Sequence, residues 1–406
     1  MDRSTVVRWE RAETEPHPSM RPMIALKLGV TLDELDDLLS QKTTLGHRRM
    51  RRRDAPKVAE ARDRQGREIV SAFAILGIDE QFADIVNDLV GSGVHGSEGQ
   101  QHSSGVGADH VALLETAIRN IESTDAARGG DTLYGAAQSL YRVADGWLDQ
   151  GSPPPTIRDG IQSLIGDLAW WLGWLAFDAD RHDQARRYLS EALLSARLMD
   201  DPFLEVRTMA SLSLLALAFR PHEALQCAQL AQRLAGGWST SRLAALLHLR
   251  AARAHAALND ERAFAREIAN AAGKLDRGPG VDEPLFVRFV GPGELSGIAG
   301  LSYLAMRRPD RASGLFRDIV DNPDPAYRRN MSYYTVRLAE SLGRQGDITG
   351  ACVVARQAVN LVSGLDSSRT VRFLGQFRGS VQPHVGASGE ARDFADAYDN
   401  VFASGR

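Results

Sequence analysis

The chain has 406 residues, of which 43% are hydrophobic and 25% are charged, a composition typical of a globular protein with a sizeable core. Its formal net charge of −4 excludes a chain that is polybasic throughout, so any contact with nucleic acid must come from a local patch. The two cysteines, Cys227 and Cys352, exclude a disulfide framework and a zinc site of several cysteines.

The sequence predicts no export signal and no membrane segment. The N-terminus lacks a charged region followed by an apolar run, so we expect no signal peptide. The most apolar stretch, residues 164–177, is interrupted by Gly166, Asp167 and Gly173 and is too short to span a bilayer. We therefore expect a cytoplasmic protein.

The first 40 residues predict three short helices. Asp2 suits the N-cap of a helix over residues 2–14, and a loop with two prolines follows. A second helix over residues 20–28 ends at Gly29, and a capping box at residues 31–34 opens the third helix.

This N-terminal pattern resembles part of a known DNA-binding domain. The run Arg-Ser-Thr-Val-x-Arg-Trp-Glu, a Pro-x-Pro loop and a helix ending in Leu-Gly-Val are similar to the second half of an XRE/Cro-type helix-turn-helix. Such domains head actinobacterial regulators that carry a C-terminal repeat domain. The resemblance implies that the first helix enters the major groove, with Arg3, Ser4 and Arg8 contacting bases and Thr5 contacting a phosphate. The alternative is an amphipathic helix whose arginines are only solvated.

Two features depart from that family. Position 12 is Ala, where the family usually has Gly after Trp-Glu-x. The two helices that precede the recognition helix in the family do not precede it in this sequence, and a lone short helix is marginal in water. We expect Met1 to be an internal methionine of a longer protein; the alternative is a form that has lost DNA binding.

Residues 41–107 predict a linker with a helix near residues 58–90. A Gly-rich stretch at residues 91–96 matches a dinucleotide-binding fingerprint, but no strand precedes it and no helix opens on it, so we predict a flexible linker. The linker also carries a basic cluster, which either contacts phosphates or is simply solvated. Its arginines are Arg48, Arg49, Arg51, Arg52 and Arg53.

Residues 108–406 predict a succession of helix pairs with one repeated frame. A small residue recurs at intervals of 39, 39, 49 and 39 residues, and in most repeats another small residue lies twelve positions earlier. Small residues allow two helices to pack closely, and a pair that cannot bury its own apolar face stacks on the next pair. The later position is Ala185, Ala224, Ala263, Ala312 and Ala351; the earlier one is Gly173, Leu212, Ala251, Gly300 and Ala339.

Two of these frames resemble the tetratricopeptide repeat. Leu172-Gly173 with Ala185, and Gly300 with Tyr303, Ala312 and Phe316, follow its signature, although the period exceeds the usual length of about 34 residues. The resemblance covers residues 155–365. It implies an α-solenoid of tetratricopeptide-like pairs, whose groove receives a protein, peptide or small-molecule signal; the alternative is an irregular helical domain.

The predicted helix bounds follow from the apolar periodicity and the turn residues between helices. An initial pair spans residues 110–123 and 132–150, and a terminal cap spans residues 370–381 and 390–402. Five pairs lie between them: 157–178 with 182–199, 203–218 with 221–235, 239–257 with 260–275, 294–306 with 309–321, and 327–344 with 347–363. A loop at residues 277–293 accounts for the longer interval.

No catalytic motif is evident: the sequence has no His-Glu-x-x-His, no Walker loop and no Gly-x-Ser-x-Gly elbow. We therefore predict no enzyme, no cofactor and no metal. The cluster Asp178, Asp180, His182 and Asp183 predicts turn formation and helix capping rather than a metal site. The stripe Trp170, Trp171, Trp174 and Phe177 predicts core packing, with one tryptophan lining the groove.

The sequence thus predicts an all-α protein: a partial helix-turn-helix in residues 1–40, a linker in residues 41–107 and helical repeats in residues 108–406. The expected function is a DNA-binding transcriptional regulator whose repeats sense a ligand or partner, or mediate association into a homodimer. The alternative is a protein- or peptide-binding scaffold that does not bind DNA.

Overall fold

The computed structural model describes residues 67–78 and 106–403, apart from positions 129, 150–152, 281, 324–327 and 366, together with the isolated positions 21, 82 and 85. The contacts divide the chain into two compact units. One comprises Met1–Val70 and Ala83–Ser103, and the other comprises Ser71–Phe82 and Ser104–Arg406. In the first unit, residues 67–70 are helical; everything that follows concerns the second unit.

The second unit is all-α: its described residues contain helices and turns but no strand. Residues 71–75 are helical, and the turn after them is fixed by Asn120, whose side chain donates to the carbonyl of Leu76. The helices that follow are α1 Ala108–Arg128, α2 Asp131–Asp149, α3 Pro155–Asp178, α4 His182–Leu198, α5 Pro202–Ala216, α6 Pro221–Ala235, α7 Ser241–Ala257, α8 Glu261–Leu275, α9 Pro292–Ala305, α10 Pro309–Asp321, α11 Arg328–Arg344, α12 Ile348–Val362, α13 Ser368–Val381 and α14 Gly389–Tyr398.

The helices begin where the sequence provides a start signal. The side chains of Asp201, Thr240, Asp260 and Asp347 each accept a hydrogen bond from a backbone N–H in the first turn of the helix that follows. Helices α3, α5, α6, α9 and α10 have a proline in the first turn, where its missing N–H costs no helical hydrogen bond.

The turns within the five central pairs are short, and four of them contain a left-handed residue. Asp180 lies between α3 and α4, Asn259 between α7 and α8, and Arg307 between α9 and α10, each with φ near +60°. Gly346 has φ +87° between α11 and α12. The left-handed residue reverses the chain within a few residues, so the second helix of each of these four pairs returns against the first.

Small residues set the close approach within two of these pairs. A Cβ added at Gly173 would lie 2.6 Å from the Leu189 side chain, and one added at Gly300 would lie 2.7 Å from the Phe316 ring. Phe316 is fully buried, whereas Tyr303 is half-buried and packs edge-on against Phe264. The five alanines of the repeated frame are all buried: Ala185, Ala224, Ala263, Ala312 and Ala351.

The five central pairs, α3 to α12, begin and end within two residues of their predicted positions. The flanking helices differ more. Helix α1 extends to Arg128 instead of ending near residue 123, and α14 ends at Tyr398 and continues as a π-helical turn, Asp399–Ala403. Within the described part of the chain, no helix combines the length and apolar character needed to cross a bilayer.

Candidate ligand-binding cavity

The first helix of each central pair lines a cavity of about 730 Å³. Helices α3, α5, α7, α9 and α11 contribute side chains to it, as do α1 and α13. The second helices of the pairs contribute only His182, at the start of α4. The cavity therefore follows from the alternation of helices that the repeated frame produces.

The tryptophans of α3 form an aromatic wall. The rings of Trp170 and Trp174 are parallel, with centroids 6.4 Å apart, and Trp171 packs edge-on against Trp170. Trp170 donates its indole N–H to Ser211 of α5, and Trp174 donates to Asp125 of α1. All three tryptophans border the cavity while their other surfaces pack on neighbouring helices, so more of the stripe lines it than the one tryptophan that the sequence suggested.

The loop between α8 and α9 forms another part of the lining. It contains a short 3-10 turn, Leu285–Val287, and Phe286 of this turn contacts the rings of Trp170 and Phe203. Glu283 anchors the loop by accepting hydrogen bonds from the Thr240 hydroxyl and a backbone N–H of α7. The residues that lengthen one repeat interval thus bring aromatic side chains to the cavity.

Arginines dominate the charge of the lining. Among the described residues that border the cavity, eight are arginines and three are carboxylates: Arg119, Arg207, Arg250, Arg253, Arg288, Arg329, Arg369 and Arg372, against Glu122, Asp125 and Glu294. Several of these arginines are held by carboxylates. Arg207 pairs with Asp167 and stacks on Trp170, and Arg372 pairs with Asp180 at 2.8 Å.

A buried ion network joins helices that lie far apart in the chain. Arg329 of α11 lies 2.9 Å from Asp125 of α1 and 2.7 Å from Asp178 of α3, and Arg369 of α13 lies 3.1 Å from Asp178. Arg329 and both carboxylates are at most 9% exposed. The network connects residues about two hundred positions apart in sequence, so helices α1 and α3 meet α11 and α13 beside the cavity.

The two carboxylates of this network differ in their pKa. Burial raises the pKa of Asp125, and the Arg329 charge offsets only part of that effect. Asp178 is just as deeply buried, but Arg329 and Arg369 together outweigh its desolvation and lower its pKa. Asp178 is therefore the more firmly ionised of the two carboxylates.

The acidic cluster around Asp178 differs from its prediction. Asp178 forms no turn or cap; it is fully buried and ion-paired. No side chain caps the start of α4, whose N-cap position is Arg181, so the capping prediction is wrong. Asp180 does adopt the left-handed turn conformation, and its backbone carbonyl lies 3.2 Å from a ring nitrogen of His182.

Two arginines of the lining lack such partners. Arg250 and Arg253 form no ion pair with any carboxylate of the described residues, and the Nε of Arg250 has no hydrogen-bond partner there although the residue is only 8% exposed. Burial lowers the pKa of Arg250 to about 10 and also lowers the pKa of Arg253. The Arg250 guanidinium is thus desolvated without a counter-charge in contact, and the half-buried Arg253 likewise has no carboxylate partner among the described residues.

Glu294 of α9 is the carboxylate that most offsets the charge of Arg250. It is itself occupied: Tyr334 donates a hydrogen bond to it at 2.7 Å, and Asn330 donates another at 3.2 Å. Burial raises the pKa of Glu294 above its ordinary value. The carboxylate nearest in effect to Arg250 is thus already hydrogen-bonded to Tyr334 and Asn330.

Sequence reasoning did not single out Arg250 and Arg253. The available signal was their setting, since they lie three residues apart, on one face of a helix otherwise rich in Ala and Leu. Nor did it pair Asp178 with Arg329 and Arg369, because nothing in the local sequence connects positions so far apart.

The predicted DNA-contacting residues Arg3, Ser4, Thr5 and Arg8 lie outside the described residues, as do the linker arginines Arg48, Arg49, Arg51, Arg52 and Arg53. The same holds for the Gly-rich stretch at residues 91–96 and for most of the predicted linker helix, of which residues 67–75 are helical.

Comparison with known proteins adds no family to this picture: no protein-family model matches the chain, and no curated protein is significantly similar to it.

Proposed function

We propose that this chain is a ligand-responsive transcriptional regulator. In this proposal the pairs α3 to α12 form a tetratricopeptide-like array that binds a signal molecule, and residues 1–40 bind DNA. The observation that carries the sensing role is the cavity of about 730 Å³ lined by the first helices of successive pairs.

The size and lining of the cavity favour a binding site over a packing defect. Protein interiors leave few voids larger than a water molecule, whereas small-molecule sites typically measure about 300–1,000 Å³ and combine apolar walls with a few polar groups. Trp171, Phe177 and Leu301 supply apolar surface, and the arginines supply charge. This size suits a small molecule better than a long peptide.

The DNA-binding role is supported by the sequence of the N-terminal segment alone. Arg3, Ser4 and Arg8 are residue types that read base edges, Thr5 is suited to a phosphate, and the linker arginines add a salt-dependent contact with the backbone. A homodimer belongs to the same proposal, because operator half-sites mirror protein symmetry. So does a cytoplasmic location, because DNA is the partner.

A signal changes DNA affinity only if it binds two states of the protein differently. The network of Asp125, Arg329, Asp178 and Arg369 offers a physical basis for two states, since it joins, beside the cavity, helices that lie far apart in the chain. A ligand that strengthens or weakens these ion pairs would alter the shape of the array.

The test of DNA binding starts from a random oligonucleotide pool selected on the full chain. Fluorescence anisotropy then compares the selected site with unrelated DNA at several salt concentrations. The triple variant Arg3→Ala, Ser4→Ala, Arg8→Ala should lose its preference for the selected site and keep a weak, salt-dependent binding. Arg356→Ala, on an exposed part of α12, is the control and should bind like the parent.

Two other results would change the proposal. An equal loss of affinity for every DNA sequence would assign binding to backbone contacts and remove the base-reading role. No DNA binding at low salt by either protein would reject the regulator and favour the alternative, a repeat scaffold that binds a partner and not DNA.

A further inference from the structure

We infer that Arg250 and Arg253 form an anion subsite in the cavity, and that the ligand is a small amphipathic molecule with one carboxylate or phosphate group on an apolar or aromatic body. The inference deepens the proposed sensing role and depends on the cavity being a ligand site.

The placement of the two arginines is the first argument. Both project from α7 into the cavity, three residues apart on the same helix face. The backbone of α7 is fixed between α5 and α9, so its Ala-rich faces pack while this face borders open space. Two guanidinium groups are thus presented side by side to whatever occupies the cavity.

Their lack of partners is the second argument. Arg207, Arg329, Arg369 and Arg372 are each engaged by a carboxylate, whereas Arg250 and Arg253 have no such partner among the described residues. The positive charge of Arg369 also lowers the pKa of both arginines. A buried cation without a counter-ion is unfavourable, and an anion that completes the site relieves that unfavourable state.

The chemistry of the guanidinium group selects the kind of anion. Its planar fork of donors matches two oxygens of a carboxylate or phosphate. Two adjacent forks can hold one such group from two directions. Among the described residues of the lining there is no comparable site: the other arginines already pair with carboxylates, apart from Arg288, which has contacts of its own. One anionic group per ligand is therefore expected.

The rest of the lining selects the body of the ligand. Leu214 of α5, Leu246 of α7 and Ile298 of α9 face the same cavity as the tryptophan wall, as does Leu217, the residue after α5. An apolar or aromatic body buries surface against these side chains. A ligand with several charges would have to desolvate them against this apolar wall, so nucleotides and sugar phosphates are disfavoured.

The test uses two dyes with the same aromatic frame. Anilinonaphthalene sulfonate carries one anionic group, and N-phenylnaphthylamine is its uncharged counterpart. Both are titrated into the full chain and followed by fluorescence. We expect the anionic dye to bind at least about tenfold more tightly, as befits a charge-assisted hydrogen bond.

The variants locate the effect. The double substitution Arg250→Met and Arg253→Met should weaken the anionic dye by at least about tenfold and leave the uncharged dye unchanged. Arg250→Lys keeps the charge and should retain most of the affinity. Arg356→Met, on the exposed face of α12, should bind both dyes like the parent. Circular dichroism melting of every variant shows that it is folded.

Competition identifies the anionic group. Naphthoate and naphthyl phosphate are each used to displace the sulfonate dye from the parent protein. Stronger displacement by naphthoate would assign the subsite to carboxylates, and stronger displacement by naphthyl phosphate would assign it to phosphate monoesters. If uncharged naphthol displaces the dye as effectively as naphthoate and naphthyl phosphate do, the anion subsite is overturned.

The outcomes separate this inference from the proposed function. If both dyes bind equally well and the double variant binds the sulfonate dye like the parent, the anion subsite is refuted while the ligand cavity stands. If neither dye binds the parent, the cavity is not a ligand site, and the sensing role fails together with the inference.

Discussion

Replacing Arg250 with methionine should stabilise the ligand-free protein. Methionine keeps most of the length of the arginine stem and removes the buried charge. In the folded protein the guanidinium is desolvated and has no ion-pair partner among the described residues, whereas in the unfolded chain it is fully hydrated. The buried charge therefore lowers the free energy of unfolding, and the substitution removes this unfavourable contribution.

The magnitude follows from the pKa of the group. Burial lowers the pKa of Arg250 from 12.5 to about 10, and each pKa unit corresponds to about 1.36 kcal/mol. The loss in the free energy of unfolding that the buried charge causes is therefore on the order of 3 kcal/mol. Because the folded-state pKa is the lower one, this loss is fully present at neutral pH. It is relieved only as the pH rises from about 10 toward 12.5.

Thermal unfolding followed by circular dichroism measures the effect at neutral pH without ligand. For a helical unit of this size, the expected gain in stability raises the Tm by roughly 5 °C. Arg356→Met, at an exposed position on α12, should change the Tm by about 1 °C or less. Saturating anionic dye should raise the Tm of the parent more than that of Arg250→Met.

A lower Tm for Arg250→Met than for the parent, by as much as the loss of a buried ion pair would cause, would refute this prediction. It would mean that the guanidinium already makes favourable contacts in the ligand-free protein. A bound anion would then relieve no unfavourable charge at this position.

Three further substitutions test the packing and the ion network, each by chemical denaturation. Gly300→Leu should destabilise the protein by about 1–3 kcal/mol because a side chain there would overlap Phe316. The control is Gly314→Leu, since Gly314 is an exposed helical glycine with open space around it, and this change should not destabilise the protein. Equal effects of the two substitutions would contradict the packing of Gly300 on Phe316. Arg329→Met should cost about 3–5 kcal/mol since two buried carboxylates lose their partner, and an unchanged midpoint would show that they do not depend on it. The Asp178 carboxylate has a lowered pKa, so it stabilises the folded protein above the ordinary carboxyl range, and this stabilisation is lost as the pH falls below about 4. Asp178→Asn should therefore make the free energy of unfolding less sensitive to acid. An unaltered dependence of stability on pH would contradict the role of Asp178 in the ion network.

The helical framework could be predicted because its signals are local. The start of α5 is encoded by Asp201 and Pro202, and the end of α9 by the turn before Pro309. The small residue at Gly300 and the large one at Phe316 mark where two adjacent helices touch. Each of these signals acts within one helix pair, so it can be read without knowing the rest of the fold.

The cavity could not be predicted in the same way. Its lining comes from helices up to about two hundred residues apart, and no local pattern states which faces converge. Asp178 illustrates the difficulty, since its position after a helix indicates a turn while its partners lie on α11 and α13. Likewise, Arg250 and Arg253 stand out only because no carboxylate among the described residues pairs with them, which the local sequence does not show.

The most direct test of the account is a crystal structure of the full chain with anilinonaphthalene sulfonate bound. The account predicts the dye within the cavity, its rings against the apolar lining, and its sulfonate oxygens within about 3 Å of a guanidinium nitrogen of Arg250 or Arg253. Dye bound only outside the cavity, or within it with the sulfonate away from both arginines, would contradict the central claim.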